Sequence, residues 1–444
     1  MTQQEQPKKK LIEVSLPLET INKASSREKS IRHGHPSTLH LWWSRKPLAA
    51  CRAILFASLV DDPSQDPERF RTEEAQEQER QRLFGIIEEL ITWENSQNDV
   101  VLKKALDAIH KKNQPPIRDP FCGGGSIPLE ALRLALQARS SDLNPVAVLI
   151  TEALIEIPPK FAGRPPVAHT TKQRQPLIED GWQGAQGLAE DIHYYGKWMR
   201  DEAEKRIGHI YPKVTLPTEY GGSEATVVAW LWARTVTCPN PACGACMPLT
   251  HTWWLSKKKS KETWIEPLIN TGTQPPNVHF VVKQGQQGPL QEGTVNRRGA
   301  QCIVCGTPVH FDHVRGEGKA GRMGGQLMAI IAEGQGGRIY CSPNETHTMT
   351  ATEAYPKWSP DAALPRNPRD FKTPNYGICT FGDLFTSRQL TALNTFADLV
   401  QEVREHVLIN TQETMFPDDK RPLWESGTGV VAYADAIATY LLTS

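Results

Sequence analysis

The sequence has no apolar run that approaches the roughly 20 residues a membrane-spanning helix needs, and its mean hydropathy is −0.46. It also lacks the apolar core of a secretory signal, since Lys8, Lys9 and Lys10 stand near its start without one. Net charge is absent too: 50 Lys and Arg residues balance 50 Asp and Glu residues, which excludes a uniformly basic nucleic-acid-binding protein. These absences predict a cytoplasmic protein with no membrane partner.

Charge is nevertheless distributed unevenly along the 444 residues, which are enough for two to four domains of roughly 100–200 residues each. Residues 1–50 carry nine Lys and Arg against four Asp and Glu, a net of +5. Residues 61–96 carry eleven acids against four Arg, a net of −7. This distribution leaves room for a local basic surface near the N-terminus, and we expect the acidic run to form the solvated face of a helix.

Apolar periodicity predicts the main secondary-structure elements. Helices are predicted over residues 46–60, 66–91, 101–110, 187–208, 387–408 and 430–442, and the strongest strand over residues 225–237. Thr386 with Gln389 fits a capping box for the helix at 387–408. The side chains of that helix predicted to face inward are Leu390, Leu393, Phe396, Val400, Val403 and Val407. Residues 256–300 are polar and predict a long hairpin or a mobile loop, and residues 113–116 form a break before a strand–loop–helix–strand unit at 117–157.

A glycine-rich turn, DPFCGGGS, occupies residues 119–126 between a short extended segment and a helical pattern. Glycine lets a ligand approach the backbone, and Asp142 follows about 23 residues after Asp119, where a strand-end acid can hold a ribose diol. This turn has neither the G-x-G-x-x-G spacing nor a following Gly-Lys-Ser/Thr sequence, and a purely structural corner is the alternative. The predicted cofactor-binding residues are Asp119, Pro120, Phe121, Gly123, Gly124, Gly125, Asp142 and Asn144.

Four of the nine cysteines lie in two close pairs. Cys238 and Cys243 form C-x4-C, Cys302 and Cys305 form C-x2-C, and glycine follows each pair. Two such turns on facing hairpins predict a closed four-thiolate zinc site with a structural role. Spare candidates for this site are Cys246 and His251, and the predicted core thiols are Cys51, Cys122, Cys341 and Cys379. Lys257 and Lys258, beside Trp253 and Trp254, predict either a nucleic-acid contact or a solvated loop.

Three segments together resemble one family, the bacterial and archaeal adenine-specific DNA methylases that contain a zinc ribbon and an N-terminal domain of unknown function. The segments are residues 34–53 (GHPSTLHLWWSRKPLAACRA), residues 119–130 with residues 141–146, and the two cysteine pairs. The resemblance implies an α/β protein with a Rossmann-like methyltransferase core and an inserted zinc-ribbon β domain. It also implies S-adenosylmethionine as cofactor, structural Zn2+, adenine in DNA as substrate, and a frequent association with phage defence.

By the order of these segments, Arg45 and Lys46 stand where such enzymes place a helix that closes over the methionine end of the cofactor. We therefore predict that they contact a carboxylate or a DNA phosphate, the alternative being a basic helix start packed by Trp42 and Trp43. Asp383 is a weaker candidate for a later cofactor contact, and a turn preceding a helix is the alternative there.

The Asp/Asn-Pro-Pro-aromatic turn with which such enzymes polarise the adenine amine is missing. None of the Pro-Pro pairs, at residues 115–116, 158–159, 165–166 and 275–276, has the required neighbours. The apolar helix predicted at 430–442 suggests a missing partner or continuation. We expect the donor-binding half of a split or truncated enzyme, with the acceptor motif on a second polypeptide or a missing C-terminal half. A non-catalytic nucleic-acid-binding or regulatory subunit and an RNA methyltransferase are the alternatives.

The expected organisation has five parts. They are an N-terminal family-signature segment (residues 1–60), the first part of the S-adenosylmethionine-binding core (61–160), a helical connector (161–224), the zinc-ribbon insertion (225–345), and a helical return toward the catalytic core (346–444).

Overall fold

The computed structural model describes residues 8–109, 116–168, 181–334, 336–367, 369–411, 416–417 and 419–443. Most of the predicted break at 113–116 lies outside these residues. The helices are α1 (Leu18–Glu28), α2 (Leu48–Leu59), α3 (Glu73–Ile91), α4 (Asp99–Ala108), α5 (Ser126–Arg133), α6 (Pro145–Ile155), α7 (Ile157–Lys160), α8 (Gln186–Ile207), α9 (Phe311–Lys319), α10 (Glu345–Thr352), α11 (Ser387–Thr411) and α12 (Val430–Thr443).

The strands are β1 (Ile117–Asp119), β2 (Ala138–Ser140), β3 (Val214–Thr215), β4 (Glu224–Ala225), β5 (Val227–Thr237), β6 (Cys246–Leu249), β7 (Trp254–Ser256), β8 (Thr263–Asn270), β9 (Asn277–Gln284), β10 (Ala300–Gln301), β11 (Pro308–Val309), β12 (Gly324–Gly334) and β13 (Gly337–Cys341). This mixture of helices and strands confirms the α/β class. None of the helices in the described ranges combines the length and the apolar composition that crossing a bilayer requires. The chain divides into two compact units, residues 1–198 with 400–444, and residues 199–399.

The first unit has a helical core in which α2 packs against α1, α3 and α5. Buried apolar side chains of α2 and α3, such as Phe56, Ile87 and Leu90, fill its centre. The predicted helix at 66–91 is right from Glu73 onward and wrong for residues 66–72. The reason is a cap, because Thr72 accepts a hydrogen bond from the amide of Ala75 at 3.2 Å and so begins the helix there.

Strands β1 and β2 of this unit pair in parallel, and the connection between them consists of the glycine turn and α5. The register joins Ile117 to Ala138 and Asp119 to Ser140, so both strands end at the same edge. These two strands make up the whole of that sheet within the described ranges. The strand–loop–helix–strand order expected from the sequence is therefore present from residue 117 to residue 140, and α6 follows.

Helix α12 is largely buried inside the same unit, with Tyr433 and Ile437 fully inaccessible. The Tyr433 hydroxyl donates to Asp191 Oδ2 at 2.7 Å, and the Tyr440 hydroxyl donates to the carbonyl of Ala153 at 2.6 Å. The apolar composition of residues 430–442 is thus explained by packing within this chain. It no longer argues for a missing partner, and the second polypeptide stays a prediction.

The second unit is built on an antiparallel sheet of order β13-β12-β5-β6 and a second antiparallel sheet of order β7-β8-β9. Strand β5 confirms the strand predicted at 225–237. Within the polar region 256–300, β8 and β9 form the predicted hairpin, with Thr263 opposite Gln284 and Asn270 opposite Asn277. Apolar side chains between the sheets, including Trp253, Ile265 and Phe280, form one of its cores.

The start of α11 confirms the predicted capping box, because Gln389 donates its amide to Thr386 Oγ1 at 3.3 Å and accepts the Thr386 amide at 2.8 Å. Leu390 is buried as predicted, whereas the inward placement of Leu393 and Phe396 is wrong, with 52% and 40% of these residues exposed. On that part of the helix the neighbouring loop is held by polar contacts, since Asn394 exchanges two hydrogen bonds with the backbone of residue 358.

Candidate cofactor loop and metal centre

The glycine turn is held from inside by the carboxylate that ends β1. Asp119 is 8% exposed, and its Oδ1 accepts the amide of Phe121 at 3.2 Å. Gly123 and Gly125 have φ values of +49° and +73°, a region that favours glycine. Gly125 precedes α5, so the turn leads directly into the N-terminus of a helix. Gly123 is half-buried and Gly124 and Gly125 are buried, so the accessible part of the turn lies at Pro120 and Phe121.

Asp142 lies just beyond β2 and reaches back to this turn. Its Oδ2 accepts the amide of Gly123 at 2.9 Å and its Oδ1 accepts the amide of Asn144 at 2.9 Å. The amides of Asn144 and Gly123 lower the pKa of Asp142, so the carboxylate is ionised at neutral pH. Each oxygen keeps a lone pair that a hydroxyl can use. Asn144 in turn caps α6 through the amide of Val146 at 3.0 Å.

A segment preceding α2 forms a wall against the turn. A Cβ added at Gly123 would lie 2.8 Å from Trp42 Nε1, and one at Gly124 would lie 3.0 Å from Arg45 Cζ. The Arg45 guanidinium donates to the carbonyl of Gly124 at 2.7 Å. Glycine is therefore favoured at position 123 by close approach and by backbone conformation, and at position 124 by close approach alone.

Arg45 and Lys46, the two predicted contacts for a carboxylate or phosphate, occupy different environments. Arg45 is half-buried, and it also donates to the carbonyl of His40 at 3.3 Å, so its guanidinium is engaged within the chain. Burial lowers its pKa. The Lys46 side chain is exposed, and only its carbonyl is engaged, by the Ser126 hydroxyl at 2.8 Å. Of the two cations, Lys46 is the one available to an external anion.

Large apolar side chains are exposed around the turn. Phe121 is 76% exposed, and Leu143, next to Asp142, is 94% exposed. A planar ring system could stack on such side chains while a hydroxyl group reached the carboxylate beside them.

The sequence analysis missed a buried ionic network beneath the turn. Arg52 of α2 is 1% exposed, and its Nε lies 2.6 Å from Oε2 of Glu130, a fully buried residue of α5. Arg133 contacts the other carboxylate oxygen at 2.7 Å, and Arg52 also donates to the carbonyl of Leu90 at 2.6 Å. Burial raises the pKa of Glu130, and the two guanidiniums oppose that shift. The available signal was Arg52 itself, a cation inside the apolar pattern of residues 48–60.

In the second unit the four predicted cysteines converge. All four Sγ atoms lie within 4.8 Å of one another, with Cys238 to Cys305 at 3.7 Å and Cys243 to Cys302 at 3.9 Å. A tetrahedral zinc ion with Zn–S bonds of about 2.3 Å requires sulfur atoms roughly 3.8 Å apart. A disulfide needs about 2.05 Å, so the spacing fits a shared metal ion and not a covalent bond.

The two turns that carry these cysteines have the backbone expected of metal knuckles. Gly244 and Gly306, which follow the pairs, have φ values of +57° and +74°. Thr307 Oγ1 lies 3.1 Å from Cys305 Sγ, and the Thr307 hydroxyl and amide lower the pKa of that thiol to about 6. Burial raises the pKa of Cys238 to about 12, so this thiol needs a nearby cation to ionise at neutral pH. The tetrad can hold Zn2+ with no position left open for a substrate.

The remaining cysteines divide by burial. Cys51, Cys122 and Cys341 are buried, which confirms their prediction as core thiols, whereas Cys379 is exposed and that prediction is wrong. Its position in a surface turn is the reason, because Asp383 Oδ2 accepts the amides of residues 379 and 380 at 2.8 Å each. Asp383 is thus a turn cap.

Neither of the two spare ligand candidates, Cys246 and His251, belongs to the group of four converging cysteines, and the same is true of the basic loop at Lys257 and Lys258. Cys246 is exposed, and His251 Nδ1 lies 3.2 Å from the carbonyl of Val295. Lys257 and Lys258 are exposed, with Lys257 Nζ 5.6 Å from the centre of the Trp254 ring. Trp253 is 1% exposed. Of the two tryptophans in that motif, only Trp254 is accessible beside the lysines.

Comparison with known protein families gives a match in the N-terminal region of the chain. Residues 15–86, about a sixth of the chain, match the model of a family described as "Protein of unknown function (DUF1156)". This description assigns no activity. No curated protein and no solved structure matches the chain significantly. The matched residues include Trp42, Arg45 and Arg52, the side chains that contact the glycine turn and α5.

Proposed function

We propose that the chain binds S-adenosylmethionine at the glycine turn and serves as the donor-binding part of a methyltransferase that acts on the adenine amine of DNA. The observation that supports this most is the placement of Asp142, whose carboxylate accepts the amide of Gly123 in the turn and lies at the edge where β1 and β2 end. A carboxylate in that place is suited to the two hydroxyls of a ribose.

Each part of the cofactor has a candidate contact. The Asp142 carboxylate would accept from the ribose hydroxyls, and Phe121 and Leu143 would pack on the adenine ring. The methionine portion would approach the turn beside Gly123, which is half-buried whereas Gly124 and Gly125 are buried. When bound, the cofactor would supply an electrophilic methyl group. The cysteine tetrad is proposed to bind one Zn2+ that holds a zinc-ribbon domain and takes no part in the reaction.

The acceptor rests on the family resemblance, and the absence of an Asp/Asn-Pro-Pro-aromatic sequence favours a second candidate. In that case the chain is a non-catalytic subunit that binds nucleic acid and the cofactor. Transfer of a labelled methyl group to duplex DNA by the purified chain alone would argue for the first candidate. Cofactor binding with transfer only after a second polypeptide is added would support a split enzyme, and preferential labelling of structured RNA would identify RNA as the acceptor.

We expect Asp142→Ala to weaken S-adenosylhomocysteine binding by roughly 10- to 100-fold, because two charge-assisted hydrogen bonds to the ribose are lost. Calorimetric titration measures the affinity, and zinc quantified on the same sample is expected to stay near one per chain. Asp383→Ala is the matched control, since Asp383 also accepts two backbone amides in a turn but lies in the other unit.

Two results would oppose the assignment. If the unmodified, zinc-loaded chain does not bind S-adenosylhomocysteine, the turn is a structural corner. If Asp142→Ala binds as well as the unmodified chain, the ribose is held elsewhere.

A further inference from the structure

The sequence from Lys29 to Lys46 contains no acidic residue. This stretch includes Trp42 and Arg45, the side chains that pack against the glycine turn. Over these positions the sequence holds the cations Lys29, Arg32, Arg45 and Lys46 together with His33, His35 and His40. Lys29, Arg32 and Lys46 are exposed, and no described residue forms an ion pair with any of the three. Their charges are therefore available to an external anion.

The two ends of this stretch lie close together because of one buried acid. Glu28, the last residue of α1, accepts the amide of Leu48, the first residue of α2, at 3.2 Å. Lys29 follows the first of these helices and Lys46 precedes the second, so the two lysines stand at the same end of the helical layer. An anionic polymer crossing that end would meet both charges.

Between the two lysines the chain displays two large apolar side chains to solvent. Leu41 is 84% exposed and Trp43 is 78% exposed. The orientation of the Trp43 ring is fixed on one face, because it stacks on the Trp42 ring with centroids 4.2 Å apart and an interplanar angle of 23°. Trp42 is buried against Gly123 of the turn. Trp43 is thus a fixed aromatic platform beside the cofactor loop.

We infer that this segment, Leu41 to Lys46 with Lys29, is a nucleic-acid-binding surface in which Trp43 stacks on a base and the lysines contact phosphates. The inference rests on the proposed function and names the element that brings the acceptor to the donor. An exposed aromatic ring, Trp43, close to two unpaired lysines fits a polymer that alternates bases and phosphates. An acidic peptide would satisfy the lysines and leave the indole ring without a partner.

The position of this surface next to the proposed cofactor loop suits a methyltransferase that acts on a base. A base to be methylated must leave the duplex stack, and an exposed ring next to the donor site can cover the unstacked base or fill the gap that it leaves. Trp42 and Arg45 anchor the segment on the turn itself, so nucleic acid on Trp43 would lie beside the loop that carries Gly123 and Gly124. This assigns a role to the region that matches the family of unknown function.

The test is fluorescence anisotropy of the full chain with a labelled mixed-sequence DNA duplex, the same duplex carrying one abasic site, and its single strand. Trp43→Ala is expected to weaken binding by roughly 5- to 150-fold, the range seen when one stacked base loses its aromatic partner. Lys46→Gln is expected to weaken binding for all sequences alike and to lower the slope of log affinity against log salt by about 1. Matched controls are Trp424→Ala, which replaces a tryptophan 74% exposed in the same unit, and Lys103→Gln, which replaces an exposed lysine of α4.

Several outcomes would overturn the inference. They are equal DNA affinity for Trp43→Ala and Trp424→Ala, an unchanged salt slope for Lys46→Gln, and binding to vesicles of anionic lipid in preference to DNA. S-adenosylhomocysteine titration of the same variants separates this inference from the proposed function. Loss of cofactor binding with DNA binding intact in Trp43→Ala would place the ring in the donor site and contradict a base-stacking role. The chain could also bind DNA in a way that depends on Trp43 and yet bind no cofactor. That result would support the nucleic-acid-binding surface and contradict the methyltransferase proposal.

Discussion

Replacing Cys302 by serine is expected to reduce bound zinc from about one per chain to near none and to unfold the region around the tetrad. Cys302 is 1% exposed, and its sulfur is one of four whose spacing fits a tetrahedral metal ion. Three of the nine buried residues in the surrounding apolar cluster are cysteines of the tetrad, so a bound metal would carry much of the local stability. Structural zinc in small domains is worth roughly 10–16 kcal/mol of binding free energy.

Losing even about 5 kcal/mol of that free energy should lower the thermal midpoint of a 150–250-residue unit by roughly 10–20 °C. Scanning calorimetry measures the midpoint, and elemental analysis of the same sample gives the zinc content. The control is Cys246→Ser, which changes an exposed cysteine of the same unit outside the tetrad and should alter neither quantity. Full zinc in Cys302→Ser, or equal loss in both variants, would show that the tetrad is not the metal site.

Glu130→Ala is expected to destabilise the first unit by about 3–5 kcal/mol, because the Arg52 guanidinium then loses its carboxylate inside the protein. Arg52 remains 1% exposed and cannot turn to water, and arginine does not deprotonate at neutral pH. The expected fall in the thermal midpoint is roughly 6–20 °C. The control Glu77→Ala removes the exposed partner of Arg80, and such surface pairs contribute about 0–1 kcal/mol.

The double replacement Arg52→Met with Glu130→Leu distinguishes two causes of the lost stability, an unpaired buried charge and a loss of side-chain packing. If the loss in Glu130→Ala comes from a stranded charge, the double variant should recover most of it, since apolar residues of similar volume replace a buried pair at little cost. A double variant no more stable than Glu130→Ala would mean that the unpaired Arg52 guanidinium is not the cause of the destabilisation.

Features coded over short stretches of sequence were predicted well. The glycine turn, the strand at Val227–Thr237, the capping box at Thr386 and the two cysteine pairs each depend on neighbours within a few residues, and all are present. Spacing alone could predict that the cysteine pairs would meet, because a thiolate pair at a turn has few partners other than a second such pair.

Features that depend on distant residues were missed or wrong. The pairing of Arg52 with Glu130 joins positions 78 apart in the chain, and no local pattern reports it. Leu393 and Phe396 follow the helical period of buried positions, but the sequence does not tell which stretch of the helix has an apolar neighbour. Cys379 was assigned to a core on residue type alone, while Asp383 four residues later caps the turn that exposes it.

The two cysteine pairs are separated by 58 residues, and the hairpin of β8 and β9 lies within that interval. The hairpin pairs residues near one another and can form as soon as it leaves the ribosome, whereas the tetrad must wait for Cys305. Closing an interval of that length costs roughly 3–4 kcal/mol of chain entropy, which metal coordination readily exceeds. Synthesis in zinc-starved cells should therefore yield chains with a formed hairpin and open knuckles. Their free thiols would be targets for oxidation before the metal arrives, so the zinc supply during translation would control how much of the protein matures.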